Sequence, residues 1–463
     1  MKRYAGLVCF LGLTTMVGCV APPKTLVLDG MVDDWHIQSP QVIDPVGDAA
    51  GSTDIVSLAG QRIDKFLFLR LAIAGPSNLQ KPEEDGGLRI SIRGSDEEVV
   101  IDTGNRQAER NGEPVPWSAV SYLGLPTHAA TEFEIRVRAP SGPSTIEVTG
   151  SDTLDRPLRV DSGQNVLSER EVLVQRYKSP LRVVSWNVLH GGPFGDPVRE
   201  AQGREVLKTL EPDVLLLQEV WRVADFEDRI KTLCGNEWSV HEVGGVAVAS
   251  RLPLALLDLN PPVELDRRRR PKGGDNWSVM RNLFVGVDTP VGPLVVVSAH
   301  WKCCGYSGST EDIQRMDDAL TALKAIWRLR DAGVPAKPRR DSSSPFKSPV
   351  PERFTDAPII IAGDYNLVGS RAPLEMLLTS GLADLVPIQS DEWIASTWRS
   401  LDDEKYQRTG TDRSEWKPGG FPPGRLDFVL ADRRLTVSET FIADLGEPTS
   451  LSDHLPIVVD IAN

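Results

Sequence analysis

The chain has no excess of positive charge. Its 463 residues carry 51 Lys and Arg against 65 Asp and Glu, a formal net charge of −14. A protein that grips long nucleic acid through its phosphates is ordinarily basic, so the balance argues against a dedicated nucleic-acid module. It leaves room for a nuclease whose site is screened by divalent ions. The chain also lacks a long hydrophobic stretch near its start: the apolar run from Ala5 to Val17 is too short to be a comfortable membrane span. Cysteine is scarce, with five residues, and a zinc site would need further Cys or His ligands at suitable spacing, which are missing. No glycine-rich loop is built to cradle phosphate, and no Ser-His-Asp arrangement offers a nucleophile.

What is present begins with Met1-Lys-Arg-Tyr4, two positive charges ahead of that short apolar run, which is the layout of a secretory signal. The run ends Met16-Val-Gly-Cys19 and resembles a bacterial lipoprotein signal. The resemblance implies removal of residues 1–18, acylation of Cys19, a tether over 19–26 and attachment to a membrane surface without a span. Val20 follows Cys19 where an Asp would mark the inner membrane, so the resemblance to enterobacterial lipoprotein sorting implies an exported protein held at the outer membrane of the cell envelope. The plainer alternative is an ordinary cleaved signal with an incidental cysteine. Cys234, Cys303 and Cys304 would then stand where disulfides can form, either as a vicinal Cys303–Cys304 bond or as a bond from Cys234 to one of them.

Residues 27–176 read as an all-β domain. Phe66–Leu71, Leu88–Ile92, Thr131–Arg138 and Ile146–Val148 are short alternating runs separated by turn residues, the pattern of an antiparallel sandwich. In Thr131–Arg138 the alternation puts Phe133, Ile135 and Val137 on one face and the charged residues on the other. Leu28-Asp-Gly-Met-Val-Asp-Asp-Trp35 and Asp44-Pro-Val-Gly-Asp48 resemble the start of carbohydrate-binding-like or DOMON-like sandwiches. Asp44, Asp48 and Asp54 could hold Ca²⁺, a hard cation that takes oxygen ligands, or could simply form turns. Trp35 and Trp117 could stack on a sugar, or belong to the core. The domain is expected to be an accessory binding or spacer unit.

From residue 180 to 463 the pattern changes. Ala357-Pro-Ile-Ile-Ile-Ala-Gly-Asp-Tyr-Asn-Leu367 is a strand covered on both faces, ending in Asp364 and Asn366. Spaced two apart, these would share a face, unless they merely cap a turn. Leu181–Val188 carries Asn187, Asp213–Val220 carries Glu219, Leu294–His300 ends in histidine, Arg425–Leu430 carries Asp427, and Leu451–Ile457 holds Asp453 and His454. Helices are expected over Val198–Leu210, over Phe226–Leu233 and from about Thr310, the last burying Ile313, Met316, Leu320, Leu323 and Trp327. Pro335–Pro358 and Thr397–Pro423 are insertions. Arg267–Arg270 is the one dense basic run; it could meet substrate phosphates or anionic lipid, or be a solvated loop.

Taken in order, these segments resemble the endonuclease/exonuclease/phosphatase family. The resemblance implies a four-layer αββα sandwich acting as a divalent-metal-dependent phosphoester hydrolase, with water attacking in line. It implies Mg²⁺ or Mn²⁺ on Glu219, with Asn187 and Asp453 contributing directly or through water. Asp364 would position or deprotonate the attacking water and Asn366 would steady the oxyanion. His454, oriented by Asp427, and His300 would meet the phosphoryl group, with His190 at the rim. The expected substrates are phosphodiesters, of nucleic acid or a lipid head group, with phosphatase activity as an alternative. The expected protein is a monomer. A reading of a different class is a non-catalytic binding lipoprotein, disfavoured because all the named polar residues are present.

Overall fold

The computed structural model describes residues 26–462 apart from 27, 36–40, 50–52, 80–86, 116, 162–178, 196, 222, 258, 260–262, 265–277, 332–349, 386–402, 405–406, 409–423 and 444–450. Residues 1–18, expected to be a signal, together with Cys19, Arg267–Arg270 and most of both insertions, lie outside the described residues. Among those described, no helix is long and apolar enough to cross a membrane.

The first part of the chain forms strands β1 (Gln41–Ile43), β2 (Ile55–Ile63), β3 (Phe66–Ile73), β4 (Leu88–Arg93), β5 (Glu98–Asp102), β6 (Gln107–Arg110), β7 (Glu113–Val115), β8 (Val120–Gly124), β9 (Glu132–Arg138), β10 (Ser144–Gly150) and β11 (Leu158–Val160). They pair into two antiparallel sheets, in the orders β1-β2-β3-β9-β8 and β11-β10-β4-β5-β6-β7. Side chains alternate across each strand, and the inward sets (Leu67, Leu69 and Leu71; Ile90 and Ile92; Phe133, Ile135 and Val137) meet in one core. Trp117 is buried in that core and offers no face to a sugar. Glu134 keeps to the face opposite Phe133 and Ile135 but is buried there: its carboxylate accepts from the N–H groups of Asp29 and Gly30 and from the indole of Trp35. The entering segment covers that face and brings its own donors, so the carboxylate is buried with its hydrogen bonds satisfied.

The second part contains β12 (Leu181–Asn187), α1 (Pro197–Leu210), β13 (Val214–Gln218), α2 (Phe226–Cys234), β14 (Ser239–Val243), β15 (Val246–Ser250), β16 (Leu254–Leu256), β17 (Val263–Glu264), β18 (Ser278–Val279), β19 (Asn282–Thr289), β20 (Gly292–His300), α3 (Thr310–Arg330), β21 (Ile359–Asp364), α4 (Ala372–Leu378), β22 (Leu382–Asp384), β23 (Asp403–Glu404), β24 (Gln407–Arg408), β25 (Asp427–Asp432), β26 (Val437–Ile442) and β27 (Ile457–Ile461). Two six-stranded mixed sheets result, ordered β14-β15-β13-β12-β27-β26 and β16-β19-β20-β21-β25-β22. The continuous apolar runs follow from covering both faces. In β12, Val183 joins the layer between the sheets while Val184 and Trp186 face α1 and α2; in β21, Ile360 points inward while Ile359 and Ile361 face α3 and α4. The architecture is the expected αββα sandwich.

Helix α3 starts at Thr310 behind an Ser309 cap that accepts from the Asp312 N–H, but its buried face is rotated from the expected one. Ile313 and Trp327 are exposed, while Ala319, Ala322, Leu323, Ala325, Ile326 and Leu329 are buried. The three alanines let the helix approach β20 and β21 closely. Near its start Arg315, fully buried, pairs with Asp312 and donates to the Lys302 and Cys304 carbonyls, gripping the loop after β20. Cys234, Cys303 and Cys304 are free thiols, contrary to both expected pairings. Cys234 packs in the layer outside the first sheet, and the other two lie exposed in the loop after the second sheet's β20.

The two parts meet at the β8–β9 loop. Thr127 donates its N–H to the Leu367 carbonyl at 2.8 Å and its hydroxyl to the Arg425 carbonyl at 2.7 Å, and Leu125 packs into the cluster of α3 and α4.

Candidate active site

Parallel pairing sets where the polar strand ends meet. Asn187 is level with Gln218 across β12 and β13, and His300 is level with Asp364 across β20 and β21, with Asp427 on the other side of Asp364. The chain can exit β21 here only through glycine. Gly363 has φ +146°, and a Cβ on it would lie 1.9 Å from the Ala299 carbonyl oxygen. Glu219 follows β13 at φ +59°, which turns its carboxylate toward the second sheet.

Asp364 Oδ2 is the meeting point of the site. It accepts from Asn187 Nδ2 at 3.0 Å, and Nε2 of both His300 and His454 lies 3.8 Å from it. That spacing is too long for a direct hydrogen bond and leaves a gap that a small polar group could bridge. Glu219 Oε1 is 3.3 Å from Asn187 Nδ2 and 3.9 Å from His300 Nε2. His190 brings its backbone N–H to Glu219 Oε2 at 3.2 Å and its exposed ring to 3.4 Å. Asp427 Oδ2 lies 2.7 Å from His454 Nδ1, both groups being buried.

Burial and neighbouring charge set the protonation. His454 is raised from its ordinary 6.5 to about 10: burial opposes this, and the Asp427 and Asp364 carboxylates outweigh it. His300 is lowered to about 3 by burial and by the cations around it, beginning with Arg281, so its ring is neutral. Asp364 is held well above the usual carboxylate range by burial, with Asp427 and Glu219 adding to the rise against His454.

Donor atoms of Glu219, His300 and Asp364 lie within 4.8 Å of one another, close enough to share a cation. The donor set, two carboxylates and a neutral imidazole with the amide of Asn187 beside them, fits a divalent ion of the Mg²⁺ or Mn²⁺ kind. Asp453 is half-exposed at the edge, outside that group of three, with Ser452 Oγ 3.5 Å from its carboxylate. Asn366 is not on the strand face expected of it, because β21 ends at Asp364. It sits in the left-handed region at φ +49°, its N–H bound by Asp364 Oδ1 and its Nδ2 by the Trp301 carbonyl.

Sequence reasoning missed several supports. Ser452 donates to the Asn187 carbonyl and accepts the His454 N–H, tying the last loop to β12. Gln218 donates to Ser298 Oγ across the two sheets. The Trp221 ring lies 5.9 Å from that of His300, in space that Gly245 leaves open; a Cβ there would meet the indole at 2.0 Å. Serine and glycine carry little signal singly. The one available clue was that each stands within two residues of, or directly across from, a polar strand end.

In the comparisons with known proteins, the model described as "Endonuclease/Exonuclease/phosphatase family" matches residues 184–454. No curated protein matches the chain. Among solved structures it is similar to TDP2 of D. rerio complexed with single strand DNA product, at 17% identity over 61% of this chain and 99% of that one, TM-score 0.39. It is similar to AP endonuclease from Leishmania major at 15% identity, over 64% and 92%, TM-score 0.39. A mannosyl-6-phosphatase of Bacteroides thetaiotaomicron is similar at 14% identity, over 61% and 100%, TM-score 0.36.

Proposed function

This chain belongs to the endonuclease/exonuclease/phosphatase family, and from that we propose that it is a divalent-metal-dependent phosphodiesterase in which water attacks phosphorus in line. The observation that carries the reading is the convergence on Asp364 Oδ2: Asn187 at 3.0 Å and two histidine Nε2 atoms at 3.8 Å, with Glu219 alongside. Mg²⁺ or Mn²⁺ would be held by Glu219, with the Asn187 amide beside it and Asp453 contributing through water from the edge, and when bound would polarise the phosphoryl oxygen and stabilise the leaving oxygen.

The protein's own groups divide the remaining work. Asp364 orients the attacking water and takes its proton, a role suited to a carboxyl whose proton affinity burial and like charges have raised. His454, cationic and fixed through Nδ1 by Asp427, donates from Nε2 to a phosphoryl oxygen. His300 is neutral, so it contributes a hydrogen bond rather than acting as a cationic acid. The Asn366 amide is engaged with the Trp301 carbonyl, which makes it a support of the Asp364 turn. Export and lipid anchoring at Cys19 belong to the same proposal and are tested by the mass of the mature N-terminus.

The test is hydrolysis of DNA, RNA, sphingomyelin, sugar phosphates and bis(4-nitrophenyl) phosphate with Mg²⁺, Mn²⁺ or EDTA, with Asp364→Ala in parallel. Turnover that needs metal and disappears in the variant is expected, and the preferred substrate selects between nucleic-acid and lipid diesters. Chelator-insensitive turnover, or an active Asp364→Ala protein, sinks the proposal.

A further inference from the structure

The sandwich gathers carboxylates that the phosphoester site does not use. Asp44 follows β1, Asp48 lies in the β1–β2 loop, and Asp152 enters from the β10–β11 connection, roughly a hundred residues later. One oxygen from each lies within 4.8 Å of the others. Asp152 is the member that local sequence could not supply; Asp54, expected in its place, stands beside the group.

These side chains are partly committed to the backbone and partly free. Asp44 is 2% exposed; its Oδ1 accepts the Asp155 N–H at 2.7 Å, and its Oδ2 is buried without a partner. Asp54 is 3% exposed; its Oδ2 accepts the Gly47 N–H at 2.8 Å, and its Oδ1 is likewise buried without a partner. Asp152 accepts from Ile55 and Thr153. A buried carboxylate oxygen with no donor is costly unless a cation meets it. Burial raises Asp44 above its ordinary value, and neighbouring Asp152, Asp155 and Asp48 add to the rise.

We propose that Asp44, Asp48 and Asp152, with the free oxygen of Asp54 beside them, form a Ca²⁺ site that staples the two sheets of the sandwich together. Calcium suits it because every donor is an oxygen, which disfavours zinc and other ions that seek nitrogen or sulfur. Asp48 is exposed, so water can complete the six to eight ligands, roughly, that calcium accepts in irregular geometry and that Mg²⁺ tolerates less well. β1 and β2 belong to one sheet and β10 and β11 to the other, so an ion here closes one end of the sandwich. It is the end that meets the catalytic part: the Asp54 carbonyl accepts from Ala74, and the adjoining Ile73 N–H is bound by Thr131 of the β8–β9 loop.

The test uses the full-length chain carrying Glu219→Gln, which removes the principal carboxylate of the other candidate metal site from the count. After EDTA treatment, calorimetric titration with Ca²⁺ should show a binding event that Asp152→Asn abolishes and Asp48→Asn weakens. Thermal unfolding should shift upward in proportion to log[Ca²⁺] beyond saturation, and should not shift in Asp152→Asn. Asp48→Asn keeps the test decisive if Asp152→Asn fails to fold, because the Asp48 side chain is exposed. No calcium binding by the Glu219→Gln protein overturns the proposal, as does binding that both aspartate variants retain. An equal response to Mg²⁺ at the same concentration overturns the assignment to calcium.

Discussion

Replacing Asp427 with Asn removes one charge from the candidate active site while keeping an oxygen able to accept from His454 Nδ1. The size of the effect follows from the geometry. At 2.7 Å, an effective dielectric of ~20 gives an attraction of ~6 kcal/mol between imidazolium and carboxylate. The whole rise of His454, from 6.5 to about 10, corresponds to ~5 kcal/mol net of burial. Loss of the Asp427 charge therefore removes the entire rise, and burial should carry His454 below its ordinary value in the variant. The assay is NMR titration of the His454 ring in metal-free protein, which needs no substrate. Wild type should titrate near pH 10 and Asp427→Asn below pH ~6.5. The consequence for stability has a definite sign. Because the folded-state value is raised, the contribution is present in full below pH 6.5 and is lost as pH rises through about 10. Urea unfolding should show a gap of up to ~5 kcal/mol between wild type and variant at pH 6 that closes by pH 10. A variant whose His454 still titrated above pH 8 would refute the pairing as the source of the charge.

Three further outcomes can be measured. Asp460→Ala strands the buried Arg182, which now makes 2.8 and 2.7 Å bonds to both Asp460 oxygens; it should cost ~3–5 kcal/mol in chemical unfolding, whereas the apolar pair Arg182→Met with Asp460→Leu should cost far less. Gly363→Ala drives a methyl group into the Ala299 carbonyl and should lower the thermal midpoint and phosphodiester hydrolysis together. Glu219→Gln should weaken Mn²⁺ binding at least tenfold, read by electron paramagnetic resonance of the free ion, with the far-ultraviolet circular dichroism unchanged.

Much of the catalytic half could be read directly because its strands are covered on both faces, and a run such as Ile359-Ile360-Ile361 has few other uses. The start of α3 was visible too, in periodicity and capping. What failed was whatever depended on a partner far along the chain. Glu134 looks like the outward member of an alternating strand until Asp29, Gly30 and Trp35 arrive with three N–H groups. Asp152 joins Asp44 only because two sheets stack. The face of α3 was misjudged because large apolar residues were weighted over alanines, although close approach to a sheet favours the small ones. Asn366 was placed by a strand rule at a position where the strand has already ended.

Thr127 changes what the two-part architecture means for inheritance and engineering. Its two hydrogen bonds end on the carbonyls of Leu367 and Arg425, one residue beyond Asn366 and two before Asp427. The sandwich thus measures the separation between the two segments that carry Asp364 and Asp427, as a spacer block fixes a gap. A catalytic half cut free near residue 180 would lose that gauge, and a foreign sandwich fused in its place would restore it only by presenting the same donors at the same loop. The halves are separate folds but not interchangeable parts.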